Sequence, residues 1–299
     1  MRRFFWLAAI LLVLDARAAH IAITFDDLPV VNSDDPIARQ RRITRHLLAQ
    51  LKKRRLPAVG FVNGNKLLVD GKVAPERVAL LKRWIKAGFE LGNHTFSQRS
   101  LNRVSVEEFE EDIVAGEDNI PGGKLHYFRH PYLHTGRSPE DRDRVNAFLG
   151  KRGYTIAPVT IDNSDWIFAR AYDLADAATK QRVKAAYLEY MVARVQYHSY
   201  EALRLFRRGI PQVLRVHVNA LNADAFGELA DRLFGGGHRF ITLVRALSDS
   251  AYWSEDCYFG PAGMSSLDRW AVTRGVPAGF FAEEPRTPKW VQELAGIKE

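Results

Sequence analysis

The sequence predicts an α/β fold of alternating strands and helices, and three observations carry that expectation. Short apolar, β-branched runs recur along the chain, with segments of helical apolar spacing between them. Acidic, basic and imidazole side chains fall at the ends of these runs, where strands would meet their following loops. The chain has 299 residues, 46% of them hydrophobic, enough to bury one large core, with no solenoid-spaced repeat and no low-complexity tract.

The elements follow in order. Arg2 and Arg3 precede an apolar run, Phe4 to Leu14, too short to span a bilayer comfortably, and Ala16-Arg17-Ala18 places small residues where a signal peptidase reads them. Residues 1–18 are read as a signal peptide cleaved after Ala18, because the strand-like IAITF begins almost at once. A periplasmic or secreted location follows, with no stable membrane insertion once the signal is removed. Strands are expected at His20–Phe25, Ala58–Val62, Glu90–Gly92, His126–Arg129, Thr155–Ile161, Gln212–His217 and Phe240–Leu243. A helix from Pro36 to Arg54 has capping-type Asp34 and Asp35 before it and Ile43, Leu47 and Leu51 on one face. Ala74 to Ala87 repeats the pattern with Val78, Leu81 and Ile85 and ends near Gly88; Val104–Glu117, Pro139–Arg152 and Ala223–Phe234 fill further gaps.

Seven strand–helix units fit either an open doubly wound sheet or a closed, imperfect barrel. The barrel is favoured by where the chemistry falls: Asp26 and Asp27 after the first strand, His94 after the third, Arg129 at the fourth, Asp162 and Asp165 after the fifth, His217 at the sixth. A barrel brings all these strand ends to one mouth. The barrel is expected over residues 19–248. Two regions exceed the plan: a mostly helical insertion at about 172–208, whose Leu188, Met191, Val192 and Val195 suit packing on the barrel, and an aromatic-rich extension at 249–299, read as covering apolar barrel surface.

The formal charge is +8; removing residues 1–18 takes away three arginines and one aspartate and leaves +6. That basicity suits an anionic polymer such as cell-wall glycan, or is surface charge with no partner. No basic helix with interleaved aromatics points to nucleic acid. Cys257 is the single cysteine, so no intramolecular disulfide forms, and it is read as a small packed hydrophobe.

TFDDLP, Thr24 to Pro29, sets two carboxylates side by side. Adjacent strand residues face opposite sides, so Asp26 and Asp27 need different tasks unless the strand has ended. His94 closes a strand and Gln98 lies four residues on; such a pair converges on one metal if the segment is helical. In YFRHPYLHTG, Arg129 can pair with a carboxylate, Pro131 fixes the backbone ahead of an N–H that can face a reacting oxygen, and His126, His130 and His134 are read as loop histidines because Pro131 interrupts any helix, with His130 or His134 left as a second-line metal ligand. His217, with an aspartate nearby in space, has the makings of a tuned acid–base group.

FDD, HTFSxxS, RxPY, DNSDW and LxVH, in this order from about His20 to Leu247, resemble the five motifs of polysaccharide deacetylases, the NodB-homology proteins of carbohydrate esterase family 4. The resemblance implies a single catalytic domain, a distorted (β/α) barrel of seven or eight units, that hydrolyses acetyl groups from an N-acetylated, less readily an O-acetylated, glycan or related small amide with the help of a divalent metal, zinc in the first instance. Carried onto matching positions, it implies Asp26 as general base, Asp27 and His94 as metal ligands, Arg129 as the group orienting Asp26, and the backbone N–H of Tyr132 on the oxyanion. Asp165 would tune His217, the general acid, and Trp166 and Leu214 would line the acetyl pocket.

Gln98 departs from that pattern, since the third ligand is usually a second histidine. A glutamine carbonyl is neutral like imidazole but a harder, weaker donor, poorly suited to zinc. Either Gln98 ligates through oxygen and favours a harder or more weakly held ion, or Asp27, His94 and waters suffice, or the site is vestigial and the chain is a non-catalytic carbohydrate-binding protein.

Overall fold

The structure is a computed structural model and describes residues 19–299; the segment read as a signal peptide lies outside the described residues. Its centre is β1 (His20–Leu28), with β2 (Ala58–Val62) on one side and β8 (Gln212–His217) on the other. β5 (Glu90–Asn93), β6 (Tyr127–Phe128) and β7 (Thr155–Ile156) continue the sheet beyond β2, giving the order β7-β6-β5-β2-β1-β8, and β9 (Arg239–Phe240) pairs with the start of β1. Every pairing in this sheet is parallel. β3 (Leu68–Val69) and β4 (Lys72–Val73) form a separate small hairpin that the sequence reading did not include.

The sheet curls into a half-barrel rather than a closed cylinder. Thr155–Ile161 was expected as one strand, but β7 stops after Ile156 and Pro158, with no N–H to donate, lies in the gap. Ile161 then makes one isolated bridge to Leu214 of β8. The seventh expected strand is shorter too, because Leu243 opens a helix, α8 (Leu243–Leu247).

Strand alternation divides the two faces. Ile21, Ile23 and Phe25 of β1 and Leu214 and Val216 of β8 face outward into the main core, where Phe25 meets Trp84 and Phe226 edge-on. Ala22, Val59, Phe61, Tyr127, Ala157 and Val213 fill the inside of the half-barrel. The covering helices are α1 (Ile37–Lys53), α2 (Pro75–Lys86), α3 (Val106–Ala115), α4 (Pro139–Arg152), α5 (Asp165–Leu174), α6 (Ala177–Phe206) and α7 (Ala220–Gly235). Helix α1 buries Ile43, Leu47 and Leu51, but Asp35 pairs with Arg39 instead of capping it. A reciprocal Ser105–Glu108 capping box starts α3.

The mostly helical region 172–208 holds the end of one helix and the whole of the next. Helix α5 begins at Asp165 itself, and the Asp176 side chain accepts from the Thr179 N–H to cap α6. Leu188, Met191 and Val195 join the main core. In the last fifty residues, α9 (Ser266–Thr273) packs Leu267 and Trp270 against Ala202 and Ile210, and α10 (Lys289–Ala295) adds Val291 and Ala295 to the main core; Trp253, by contrast, is 77% exposed.

Candidate active site

The carboxyl ends of β1, β5, β6 and β8 open into one cavity of about 790 Å³. Its walls include Asp27, His94, Gln98, Tyr132, Trp166 and His217.

β1 delivers its carboxylates through an irregularity. The register with β2 shifts between Phe25 and Leu28, and Asp27 adopts a left-handed φ of 66°. The expected opposition of two adjacent strand residues is thereby undone: Asp26 continues the inner face below Asp27, and both approach His94 Nε2, at 4.0 Å from Asp26 Oδ2 and 3.9 Å from Asp27 Oδ1. Asp26 is buried; Oδ2 stands 3.9 Å from Arg129 Nη1, and Oδ1 has no hydrogen-bond partner among the described residues. Burial opposes the charge on Asp27, but the Lys66 ammonium 3.6 Å from Oδ2, His217, His94 and a hydrogen bond from Gln98 outweigh it and hold the carboxyl below the usual range.

His94 is fixed as a lone-pair donor toward the cavity. Its Nδ1–H donates to the Arg129 carbonyl at 2.8 Å, which leaves Nε2 unprotonated in the neutral ring. Burial pulls the imidazole below its usual range against the attraction of Asp26 and Asp27, which favours that neutral form. Gln98 reaches the same place without a helix. Thr95 and Gln98 have φ of 65° and 58°, the Gln98 N–H donates to Thr95 Oγ1, and the turn is anchored where Ser97 donates from Oγ to Asp112 Oδ1. The Gln98 amide then donates from Nε2 to Asp27 Oδ1 at 2.9 Å. Left-handed backbone at Asp27, Thr95, Gln98 and Tyr132 costs roughly 1–3 kcal/mol per residue and clusters around this cavity, as strain held at functional sites does.

Arg129 is buried beneath the carboxylates, donates from Nη2 to Thr24 Oγ1 at 2.9 Å and lies over the Phe61 ring. Tyr132 occupies a turn with φ 57°, its ring half-exposed on the cavity wall. Opposite stands His217, whose Nδ1 lies 2.6 Å from Asp165 Oδ1. The other Asp165 oxygen accepts from the His217 backbone N–H and from Asn222 Nδ2, so the carboxylate is clamped on both sides. Burial alone would lower the imidazole's proton affinity; Asp165 overcomes it and raises the pKa of His217 above the usual value.

Leu214 does not line this cavity. It lies on the outer face of β8, wholly buried in the main core, while the residue two before His217 on the inner face is Arg215. Arg215 Nη2 pairs with Asp162 Oδ1 at 2.5 Å on the cavity wall. Four participants were missed from the sequence: Arg215, Lys66, Asn222 and Gly263. Gly263, from the extension, also lines the cavity, and a Cβ there would stand 1.9 Å from the Tyr132 carbonyl oxygen. His134, read as a loop histidine, lines the cavity while its Nδ1 meets Ser100 Oγ.

Among the described residues no three His, Cys, Asp or Glu side chains gather as a metal site. The donor set nevertheless fits a divalent cation: an ionised Asp27, a neutral His94 with Nε2 free, and Gln98 within hydrogen-bond reach of Asp27, whose amide oxygen faces inward after a half-turn of the amide group. One carboxylate and one neutral oxygen make this a harder site than one built on two imidazoles.

The polysaccharide deacetylase family model matches residues 14–152. The peptidoglycan-N-acetylglucosamine deacetylase of Bacillus cereus is 25% identical over 151 residues, 50% of this chain and 46% of that protein. The peptidoglycan-N-acetylmuramic acid deacetylase of Bacillus subtilis is 27% identical over 233 residues, 77% of this chain and 39% of that protein. The chain thus spans less than half the length of these curated relatives. A carbohydrate esterase family 4 pseudoenzyme from Bacillus anthracis has the same fold, with a TM-score of 0.51 and 14% identity over 78% of this chain and 66% of that one.

Proposed function

We propose, from the polysaccharide deacetylase family model that matches residues 14–152, that the chain is an exported hydrolase that removes acyl groups, acetyl in the first instance, from the amine nitrogen of a glycan. The observation that carries this reading is the cavity across which Asp27 and His94, with Asp26 buried beside them, face His217 backed by Asp165. The deacetylase names of the two curated relatives support the substrate class. Export rests on the sequence of residues 1–18; among the described residues no helix is long and apolar enough to cross a membrane.

Asp27, His94 and the amide oxygen of Gln98 would hold a divalent cation, which when bound lowers the pKa of water and polarises a carbonyl. The remaining tasks belong to the chain. Asp26 Oδ1, buried and without a partner, receives the proton of the attacking water. Arg129 keeps that carboxylate oriented from 3.9 Å. The backbone N–H of Tyr132 supplies a fixed dipole to the developing oxyanion. His217 donates from Nε2 to the departing nitrogen, since an amine cannot leave as an anion, and Asp165 keeps that proton in place to higher pH. Trp166, 45% exposed on the wall, offers a face for a sugar ring.

A second reading, a glycan-binding protein without turnover, is favoured by one arrangement: Gln98 already donates to Asp27 Oδ1 and the Lys66 ammonium stands 3.6 Å from Oδ2. Metal analysis of purified protein, with acetate release from chitooligosaccharides and peptidoglycan fragments and Asp26→Asn as control, separates the two. Acetate from wild type and not from Asp26→Asn is the expected result. Glycan binding with neither metal nor acetate would leave the second reading standing.

A further inference from the structure

We propose that the acyl group taken by this cavity carries a hydrogen-bond-accepting oxygen on the carbon next to its carbonyl, as in glycolyl or oxalyl, and that Arg215 recognises it. The inference rests on the hydrolase reading and specifies its substrate.

The register of β1 and β8 sets His217 beside Asp26 and Arg215 beside Thr24. Arg215 therefore lies one pleat period, roughly 6.6 Å, deeper in the half-barrel than the acid–base pair. With the amine nitrogen at His217 and the attacking water at Asp26, the substituent of the acyl carbon points down this axis. A methyl group there would meet a guanidinium.

That guanidinium is held in place. Arg215 Nη2 is bound to Asp162 Oδ1 at 2.5 Å, Asp162 Oδ1 also accepts from the Asn163 N–H, and the Asp162 carbonyl accepts from Arg194. Its Nε is buried with no acceptor among the described residues. Arg129 reaches the same layer through Thr24 Oγ1, and its Nε and Nη1 likewise lack acceptors. Of the two guanidiniums only that of Arg215 lines the cavity, so the floor offers one side chain with an unmet donor, its Nε. A buried donor of this kind discriminates strongly against a substrate that brings no acceptor, because the donor is then desolvated for nothing. A glycolyl hydroxyl or an oxalyl carboxylate close to the carbonyl supplies that acceptor; acetyl does not.

The reaction balances as hydrolysis. Water gives its hydroxyl to the acyl carbon and a proton to nitrogen, the C–N bond breaks, and the products are glycolate, or oxalate, and the free amino sugar.

The test uses the full chain and glucosamine tetramers bearing N-acetyl, N-glycolyl or N-oxalyl groups. Both kcat/KM and calorimetric affinity are measured for wild type, Arg215→Leu and Arg215→Gln. Wild type is expected to prefer glycolyl or oxalyl over acetyl by about tenfold or more, and Arg215→Leu to reverse that order. Glycolyl alone preferred assigns a neutral acceptor; oxalyl preferred assigns an anion. Equal or better handling of acetyl by wild type overturns the inference without any variant. Absence of turnover on all three substrates sinks the hydrolase reading instead, and the affinities then still decide this one: a wild-type preference that Arg215→Leu or Arg215→Gln abolishes supports it, and equal affinities overturn it.

Discussion

Asp165→Asn isolates the electrostatics of the His217 pair. The carboxylate is fully buried, 2.6 Å from His217 Nδ1, and receives two further N–H donors on its other oxygen. The asparagine is nearly isosteric and can keep those two donors on its carbonyl oxygen. It then turns an amide NH2 toward Nδ1, where the carboxylate had accepted a proton. The change removes one charge-assisted hydrogen bond to a buried cation, worth about 1.5–3 kcal/mol. At 1.36 kcal/mol per pKa unit, the His217 pKa should fall by about one to two units. The amide also draws the neutral ring into the tautomer with its proton on Nε2, reversing the Nδ1–H arrangement.

The sign follows from the direction of the native shift. His217 is raised above its usual value, so the protonated form needed as acid is lost only as pH rises through that raised pKa. In Asp165→Asn the loss occurs at lower pH, and kcat at neutral pH should drop by roughly 10²–10⁴-fold. Stability changes as well. Asp165 is held below the usual carboxylate range, so its contribution is present above the unfolded-state value and lost as pH falls through the folded one. The His217 contribution is complete below its unfolded-state pKa and lost as pH rises through the folded one. The pair is therefore worth most between about pH 4 and 6.5, and the variant should flatten stability there. Imidazole titration followed by NMR reads the pKa directly, with or without turnover. A His217 midpoint and tautomer unchanged by the substitution would refute the reasoning.

Two other substitutions probe the cavity wall. Gln98→His should tighten zinc binding by about 10–100-fold, the range that a single change around a metal commands, as read by competition with a chromogenic chelator; unchanged affinity would mean that position 98 does not face the ion. Gly263→Ala would put a Cβ 1.9 Å from the Tyr132 carbonyl oxygen. The turn or the extension must then move, with an overpacking cost of about 1–3 kcal/mol and a lower kcat/KM; a thermal midpoint and kinetics equal to wild type would show that the contact is slack.

The strand ends were legible because each carries its reactive side chain in the last residue or two of an apolar run. Asp26, His94, Arg129 and His217 needed only the parallel α/β pattern to be brought together. The positions harder to read all depend on backbone that leaves the regular geometry. The two β1 carboxylates both approach His94 because the strand bulges and Asp27 turns left-handed, which no periodicity announces. Gln98 reaches Asp27 through a loop with two left-handed residues, although helical spacing was the reason for suspecting it. Gly263 joins the site through space from a segment more than a hundred residues beyond Tyr132, and its only local sign is the turn-rich FGPAG.

Arg215 is a different case, because the sequence contained what was needed. Counting back from His217 in steps of two gives Arg215 and Val213; counting in odd steps gives Val216 and Leu214, which face the helices. Taking Leu214 for the acyl pocket broke that parity. The corrected position changes the chemistry of the cavity rather than a detail of its lining. An apolar wall would accept any short acyl chain of suitable size, whereas a guanidinium clamped by Asp162 selects by hydrogen bonding.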